Sequence, residues 1–447
     1  MFLTLRDSLQ HLVRSVRTGR RRTNRRHAYR PRLSGLEHRA LLSTLTVTSS
    51  ADSATQNDTL RYAVDHAQSG DTIQLTAAIK SPIVLTLGEL VVNQDVTIES
   101  VPSRTPTISG DGISRLFEIS ADATVTMHNL NLIDGNGLAD NPCGTTGDDG
   151  QGGAILNLGT LTIDSVTLDS NAAGSYDADT ENFGGAIANM GDLTVNNSTF
   201  TSNTAHVGGG IENNGTLAVS DSTFNGNSAT SYNFFVYGGG IDNNGTLTVT
   251  NTTFTGNQSD NNGGGINNNA TATVTSSTFT DNGSPFGVGG GISNFGTLTM
   301  SGSTLSGNSA GQQVGLGGGI YNLGTLTVSG STLSGNSAGE GGGGIYNDGT
   351  LTVSGSTLSA NTANNDGGGI LNYATLTVSG STLSANVAAY RGGGIANYGT
   401  VTVRNSSTIT GNSAPVGFGA DVYNQAVLYL DSSSTIGILD GNPAVRI

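Results

Sequence analysis

One unit recurs along the chain and leaves little freedom in how it can fold. It reads G-G-G-I-x-N-x-G-T-L-T-V-x-x-S-T-(F/L)-x-x-N and returns about every 25 residues from residue 152 onward. Its isoleucine stands at Ile155, Ile187, Ile211, Ile241, Ile266, Ile292, Ile320, Ile345, Ile370 and Ile395, with Val422 in a degenerate last copy. Its closing asparagine runs from Asn171 to Asn412. From Ile to Asn the distance is 16 residues in nine of the ten copies and 17 in the last, whereas from Asn to the next Ile it varies between 8 and 16. The fixed part implies stacked structure. The variable part implies a loop that leaves at the same edge each time.

The fixed part is too short and too β-branched for helices. Thr-Leu-Thr-Val alternates at period two, as do the flanks of Ile and of Phe/Leu, so each unit supplies short strands joined by tight bends. Successive units must pair in parallel, in a coil climbing about 4.8 Å per turn. Stacking sets like on like. Phe200, Phe224, Phe254 and Phe279 form one inward column, continued by Leu305, Leu333, Leu358 and Leu383, and the Leu and Val of the longer strand form two more. The repeated asparagines are placed to hydrogen-bond along the axis at each bend. The glycines admit positive φ and close backbone approach. They are not a phosphate loop, because no Lys followed by Ser or Thr stands at the required spacing.

Composition agrees with a narrow, repetitive core: 67 Gly, no Trp, and 11% charged residues in 447. So little charge argues against charge-driven disorder, and the glycine has no collagen period. The charge is segregated. Before residue 41, eleven basic residues face Asp7 and Glu37, a net of +9; the remainder has seven basic residues, including the lysine Lys80, against 31 acidic ones, a net of −24. Such a body repels phosphate backbones, which excludes nucleic acid as its partner. Cys143 is the sole cysteine, so there is no disulfide framework and no thiolate zinc site. No run of about 18 apolar residues spans a membrane as a helix. No cofactor or metal ligand set is recognisable.

Residues 1–43 read as a separate basic segment, largely disordered. Phe2, Leu3, Leu5, Leu9, Leu12, Val13 and Val16 fall at helical spacing among arginines, a pattern of targeting segments, although Arg6 and Asp7 interrupt any secretory apolar core. Leu36, Glu37, Arg39, Leu41 and Leu42 resemble the L-E-x-R-x-L-L element found before large exported bacterial proteins. An export or sorting role is expected; a plain basic arm is the alternative.

Gly-Gly-Ala-Ile at 152–155 and 184–187, with Phe-x-x-Asn at 200–203, 224–227, 254–257 and 279–282, resembles the polymorphic outer-membrane-protein repeat. More broadly, residues 45–440 resemble a right-handed parallel β-helix of the pectate-lyase-like superfamily. Right-handedness is also the rule for parallel crossovers. The segment Asp58 to Gly70 reads as a short amphipathic helix ending at glycine and resembles the helix that covers the first coil in such proteins. The expected division is therefore 1–43, then a capping helix with irregular coils over 44–150, then regular coils with a degenerate end over 151–447.

Enzymes on this fold work on an outer face, so charged residues in register there are the candidates. Glu212 and Asp242 both follow a repeat Ile, which sets them on adjacent coils about 5 Å apart, a separation suited to a retaining glycosidase or to a shared calcium ion. Against this, no Arg or Lys occurs between Arg115 and Arg391, which removes the cationic partner of a lyase base. Asp148 and Asp149 are a lone acidic pair in a Gly-rich loop. Asp366 and Arg391, each four residues before a repeat Ile, stack as a surface salt bridge of little energetic value.

The inserted segment from Asn227 to Tyr237 carries Tyr232, Phe234, Phe235 and Tyr237 in a chain that is 5% aromatic. Phe286, Tyr390 and Phe418 lie in neighbouring edge loops. These rings are candidate contacts for sugar or protein, unless the loop packs onto the wall as a satellite core. The leading expectation is a non-enzymatic secreted or cell-surface β-helix, adhesive or structural, displaying edge loops to a polysaccharide or a protein. A polysaccharide lyase or glycoside hydrolase is the runner-up, and a bare spacer the third reading. The 35 residues after Asn412 are too few for a membrane barrel of eight strands.

Overall fold

The computed structural model describes residues 42–101, 104–137, 150–174, 181–231, 236–311 and 314–447. Segment 1–41, Cys143, Asp148, Asp149, Tyr232, Phe234 and Phe235 lie outside the described residues.

Each unit forms strands where the sequence alternates. In one coil these are Ile241–Asn243, Thr246–Thr250, Thr253–Thr255 and the short Gln258–Ser259. Equivalent strands of successive coils pair in parallel and build sheets of 14, 16, 14 and 8 strands. The register is that of the repeat: Ile211 pairs with Ile241 and Ile241 with Ile266, while Phe224 pairs with Phe254 and Phe254 with Phe279. The protein is thus a parallel β-helix of about 14 turns.

Stacking makes the core a set of columns. Phe200, Phe224, Phe254 and Phe279 are fully buried, with ring centroids 4.5, 4.8 and 4.6 Å apart. Leu305 takes over the column opposite Phe279. The three glycines before each Ile answer separate demands. Gly238 has φ +64°; a Cβ on Gly239 would run into the Gln258 carbonyl oxygen; one on Gly240 would meet the Phe254 ring at 3.0 Å.

Two amide columns run through the bends, as the repeated asparagines imply. The Asn257 side-chain amide donates to Asn282 Oδ1 at 2.9 Å and to the Phe224 carbonyl at 2.9 Å, and Asn282 donates onward to Asn308 at 2.9 Å. The second column links Asn213, Asn243 and Asn268 at 2.7 and 2.8 Å. These bonds satisfy amides that have no water to turn to.

Among the described residues there is one short helix, Leu60–His66, started by Thr59, whose hydroxyl accepts from the Tyr62 amide. It buries Leu60, Ala63 and Val64 against the first coils. It is shorter than the segment the sequence marks. Ala67 is already extended, and Gly70, with φ +93°, turns the chain into the strand Asp71–Leu75.

Candidate functional site

Glu212 and Asp242 are direct partners in the ladder of Ile-bearing strands. They do not lie open to solvent: Glu212 is 4% exposed and Asp242 1%. The returning loop covers them. Before each glycine triplet the chain makes a further ladder of single bridges, Phe183 to Val207 to Tyr237 to Asn262 to Val288, beside the column that follows each Ile. Two coils on, Ser293 of that column donates to the Val288 carbonyl at 3.0 Å, which shows how close the two run. Asn214 donates to Glu212 at 2.6 Å, and Asn244 and Asn267 hold Asp242 at 2.7 and 2.6 Å. Burial pushes the Glu212 carboxyl up to about 7 and that of Asp242 up to about 6, against the pull of these amides. Glu212 Oε2 has no hydrogen-bond partner. The result is a covered acidic pair clamped by asparagines. Among the described residues no group of three or more His, Cys, Asp or Glu is placed to hold a metal.

Of the four loop aromatics, Tyr237 is described. It is half-buried and sits in the bridge ladder between Val207 and Asn262. Burial, with Glu181 and Asp242 nearby, raises its phenol above the usual range. In the neighbouring loops Phe286 is 72% exposed, whereas Tyr390 packs on Phe418 at 4.8 Å. Phe286 stands at the lip of an open cleft of about 910 Å³ floored by Ala310, Ser309, Ser337 and Ala338.

The structure also assembles a set of aromatics that no single loop announces. Phe295, Tyr321, Tyr346, Tyr373, Tyr398 and Tyr423, one from each of six consecutive coils, form an unbroken outer column with centroid spacings of 5.9, 5.0, 5.8, 5.0 and 6.4 Å. Tyr321, Tyr346 and Tyr423 directly follow the repeat Ile or Val; the others stand two positions later. The first position lies on the Ile-bearing strand and the second in the bend just after it, and the ring contacts join both into one stripe. Reading the two variable positions of I-x-N-x together is the signal that finds it. Tyr321 with Tyr346 and Tyr373 with Tyr398 are stacked within 14° of parallel. Burial raises the phenols of Tyr321, Tyr346, Tyr373 and Tyr398, which keeps these hydroxyls protonated at neutral pH.

Asp366 and Arg391 are bridge neighbours, as the sequence places them, but their charges meet through a third group. The Tyr398 hydroxyl donates to Asp366 Oδ2 at 2.6 Å, and Arg391 donates to that hydroxyl at 3.2 Å. The guanidinium lies 4.3 Å over the Tyr390 ring and 5.1 Å from that of Tyr423.

The profile of the Chlamydia polymorphic membrane protein repeat matches residues 330–348, which run from the end of one unit into the start of the next. No curated protein matches the chain. Among solved structures, the chain is similar to a PL6 alginate lyase in complex with a trisaccharide, at 13% identity, covering 87% of this chain and 85% of that one, with a TM-score of 0.41. It is similar to tailspike protein 3 of bacteriophage CBA120 at 11% identity, covering 90% of this chain and 62% of that one, with a TM-score of 0.42. A GH136 lacto-N-biosidase from Eubacterium ramulus follows at 12% identity, 90% and 68% coverage, and a TM-score of 0.31. Among the described residues no helix is long and apolar enough to cross a membrane.

Proposed function

We propose that this chain is a non-enzymatic, surface-displayed β-helix that binds an extended polysaccharide along its outer aromatic column. The column from Phe295 to Tyr423 carries the reading. It offers one ring per coil at a rise of about 4.8 Å, close to the length of one pyranose unit in an extended glycan, so a periodic polymer meets the same chemistry at every step. The exposed rings of Phe295 and Tyr373 supply apolar contact, and the Tyr321, Tyr346 and Tyr373 hydroxyls would supply donors to the sugar. The burial of Glu212 and Asp242 supports the non-enzymatic side, since a general acid must reach the glycosidic oxygen. Segment 1–43 would act as the export or sorting element. Display on the outer envelope fits the matched repeat.

Affinity electrophoresis of the full chain in gels containing a soluble neutral β-glucan tests this. Tyr373→Ala combined with Phe295→Ala should weaken retardation by about tenfold, as losing an aromatic anchor does. Absence of retardation in gels of neutral, acidic and amino-sugar polysaccharides alike rejects the reading, as does retention by a protein partner alone. Cleavage of the glucan that is lost in Glu212→Gln with Asp242→Asn would restore the hydrolase.

A further inference from the structure

Tyr346 and Tyr373 are not stacked but tilted by 45° at 5.8 Å, and beside them opens a pocket of about 190 Å³ lined by Leu316, Glu340, Tyr346, Asp366, Leu371 and Tyr373. The bridge ladder runs Leu316 to Gly341 to Asp366 beside it, and the Leu371 side chain packs where a Cβ on Gly341 would stand. The pocket is smaller than the few hundred Å³ of a small-molecule site. It admits one substituent of a larger ligand.

Its chemistry is specific. Asp366 is 8% exposed; its Oδ2 accepts from the Tyr398 hydroxyl, while its Oδ1 is buried without a partner. Glu340 adds a second carboxylate at the rim, and the Tyr346 and Tyr373 rings add π faces and edges. The nearest cation in the sequence, Arg391, is engaged by the Tyr398 and Tyr390 hydroxyls and by two rings. A buried carboxylate oxygen left unsatisfied is costly, so a charged donor entering here gains both a hydrogen bond and a cation–π contact.

We propose that this pocket is a subsite for a protonated primary amine, the 2-ammonium group of an amino-sugar unit in a polysaccharide lying on the aromatic column. The proposal rests on the glycan-binding reading above and narrows it: a uronate polymer would set its carboxylates against Glu340, Asp348 and Asp366, whereas an amino sugar complements them.

Calorimetric titration of the full chain with a β-1,4-linked glucosamine tetramer, and with its fully N-acetylated counterpart, tests it under conditions where the amine is protonated. The acetylated tetramer should bind at least about tenfold more weakly, because acetylation removes the charge. Asp366→Asn keeps an acceptor for Tyr398 and the side-chain shape; it should abolish the preference at unchanged melting temperature, and Glu340→Gln should reduce it. Equal binding of both tetramers, each weakened by Tyr373→Ala, overturns the amine site and leaves glycan binding standing. Binding of the neutral β-glucan with no binding of either tetramer does the same. An unaltered affinity of the glucosamine tetramer for Asp366→Asn also overturns the site. Capture of a lysine-rich peptide in place of the tetramers would assign the pocket to a protein amine and reject the sugar.

Discussion

Asn412 donates both its backbone N–H and its side-chain amide to one oxygen, Oδ1 of Asp421, each at 2.9 Å. This is where the long amide column ends. Every earlier rung passes its donors to the next asparagine, as Asn386 does to Asn412 at 2.8 Å. A further amide would need a further rung, whereas a carboxylate only accepts and so closes the chain. Its other oxygen takes the Ile438 N–H at 2.8 Å, which ties the last coil down.

Asp421→Ala should therefore fray the end of the coil stack. Buried donors left without partners cost about 1–3 kcal/mol each, and repeat solenoids spend such losses locally. Hydrogen exchange should accelerate at Val422–Asn424 and Thr435–Ile436 while the coils around Ile211 to Ile266 keep their protection. Uniform acceleration along the chain would contradict a local cap.

The acidic pair predicts an inverted pH response. Glu212 rises from 4.5 to about 7 and Asp242 from 3.8 to about 6 on folding, so the folded state holds these protons more tightly. Their contribution is fully present below about pH 4 and is lost as pH rises through 6 and 7. The melting temperature should be higher at pH 5 than at pH 8. In Glu212→Gln with Asp242→Asn the difference between the two should shrink clearly. A double variant with the same pH profile as the unaltered chain would refute this origin.

The phenylalanine column predicts an asymmetry between two truncations. Phe254→Ala removes a fully buried ring from a stack of four and should cost about 3–5 kcal/mol. Phe254→Leu should cost under about 1.5 kcal/mol, because Leu305 already follows Phe279 in the same column. Chemical denaturation of the two variants separates them; equal losses would mean that the stacked rings, rather than filled volume, set the cost.

Whole-coil deletion should be tolerated where partial deletion is not. Ile320 pairs with Ile345 and Ile345 with Ile370, so removing residues 345–369 lets Ile370 follow Gly344 and pair with Ile320 in register. Removing residues 345–356 instead sets unlike residues against every column. The first product should remain soluble and β-rich by circular dichroism, and the second should not.

How much was legible in the sequence follows from this register. The inward columns, the amide ladders and the triple glycines are readable because a fixed spacing of 16 residues forces each position onto its own copy. The outer aromatic stripe was half legible. Tyr321 and Tyr346 share one variable position, but Tyr373 and Tyr398 occupy another, in the bend after the strand, and only contacts between rings of adjacent coils unite them. The pairing of Glu212 with Asp242 was legible; their burial was not. Tyr237 was legible as a residue of the inserted loop; that its backbone bridges Val207 and Asn262 was not.

The sequence by itself determined the parallel β-helix, its register and the contents of its core, because identical short segments can bury their apolar faces only by stacking on one another. Tertiary structure decided what the variable segments do. Having unequal lengths, they carry no period from which a neighbour can be inferred, and their return path is set by contacts between coils. That path covers Glu212 and Asp242 and brings Asp366 and Arg391 to the Tyr398 hydroxyl, which joins them.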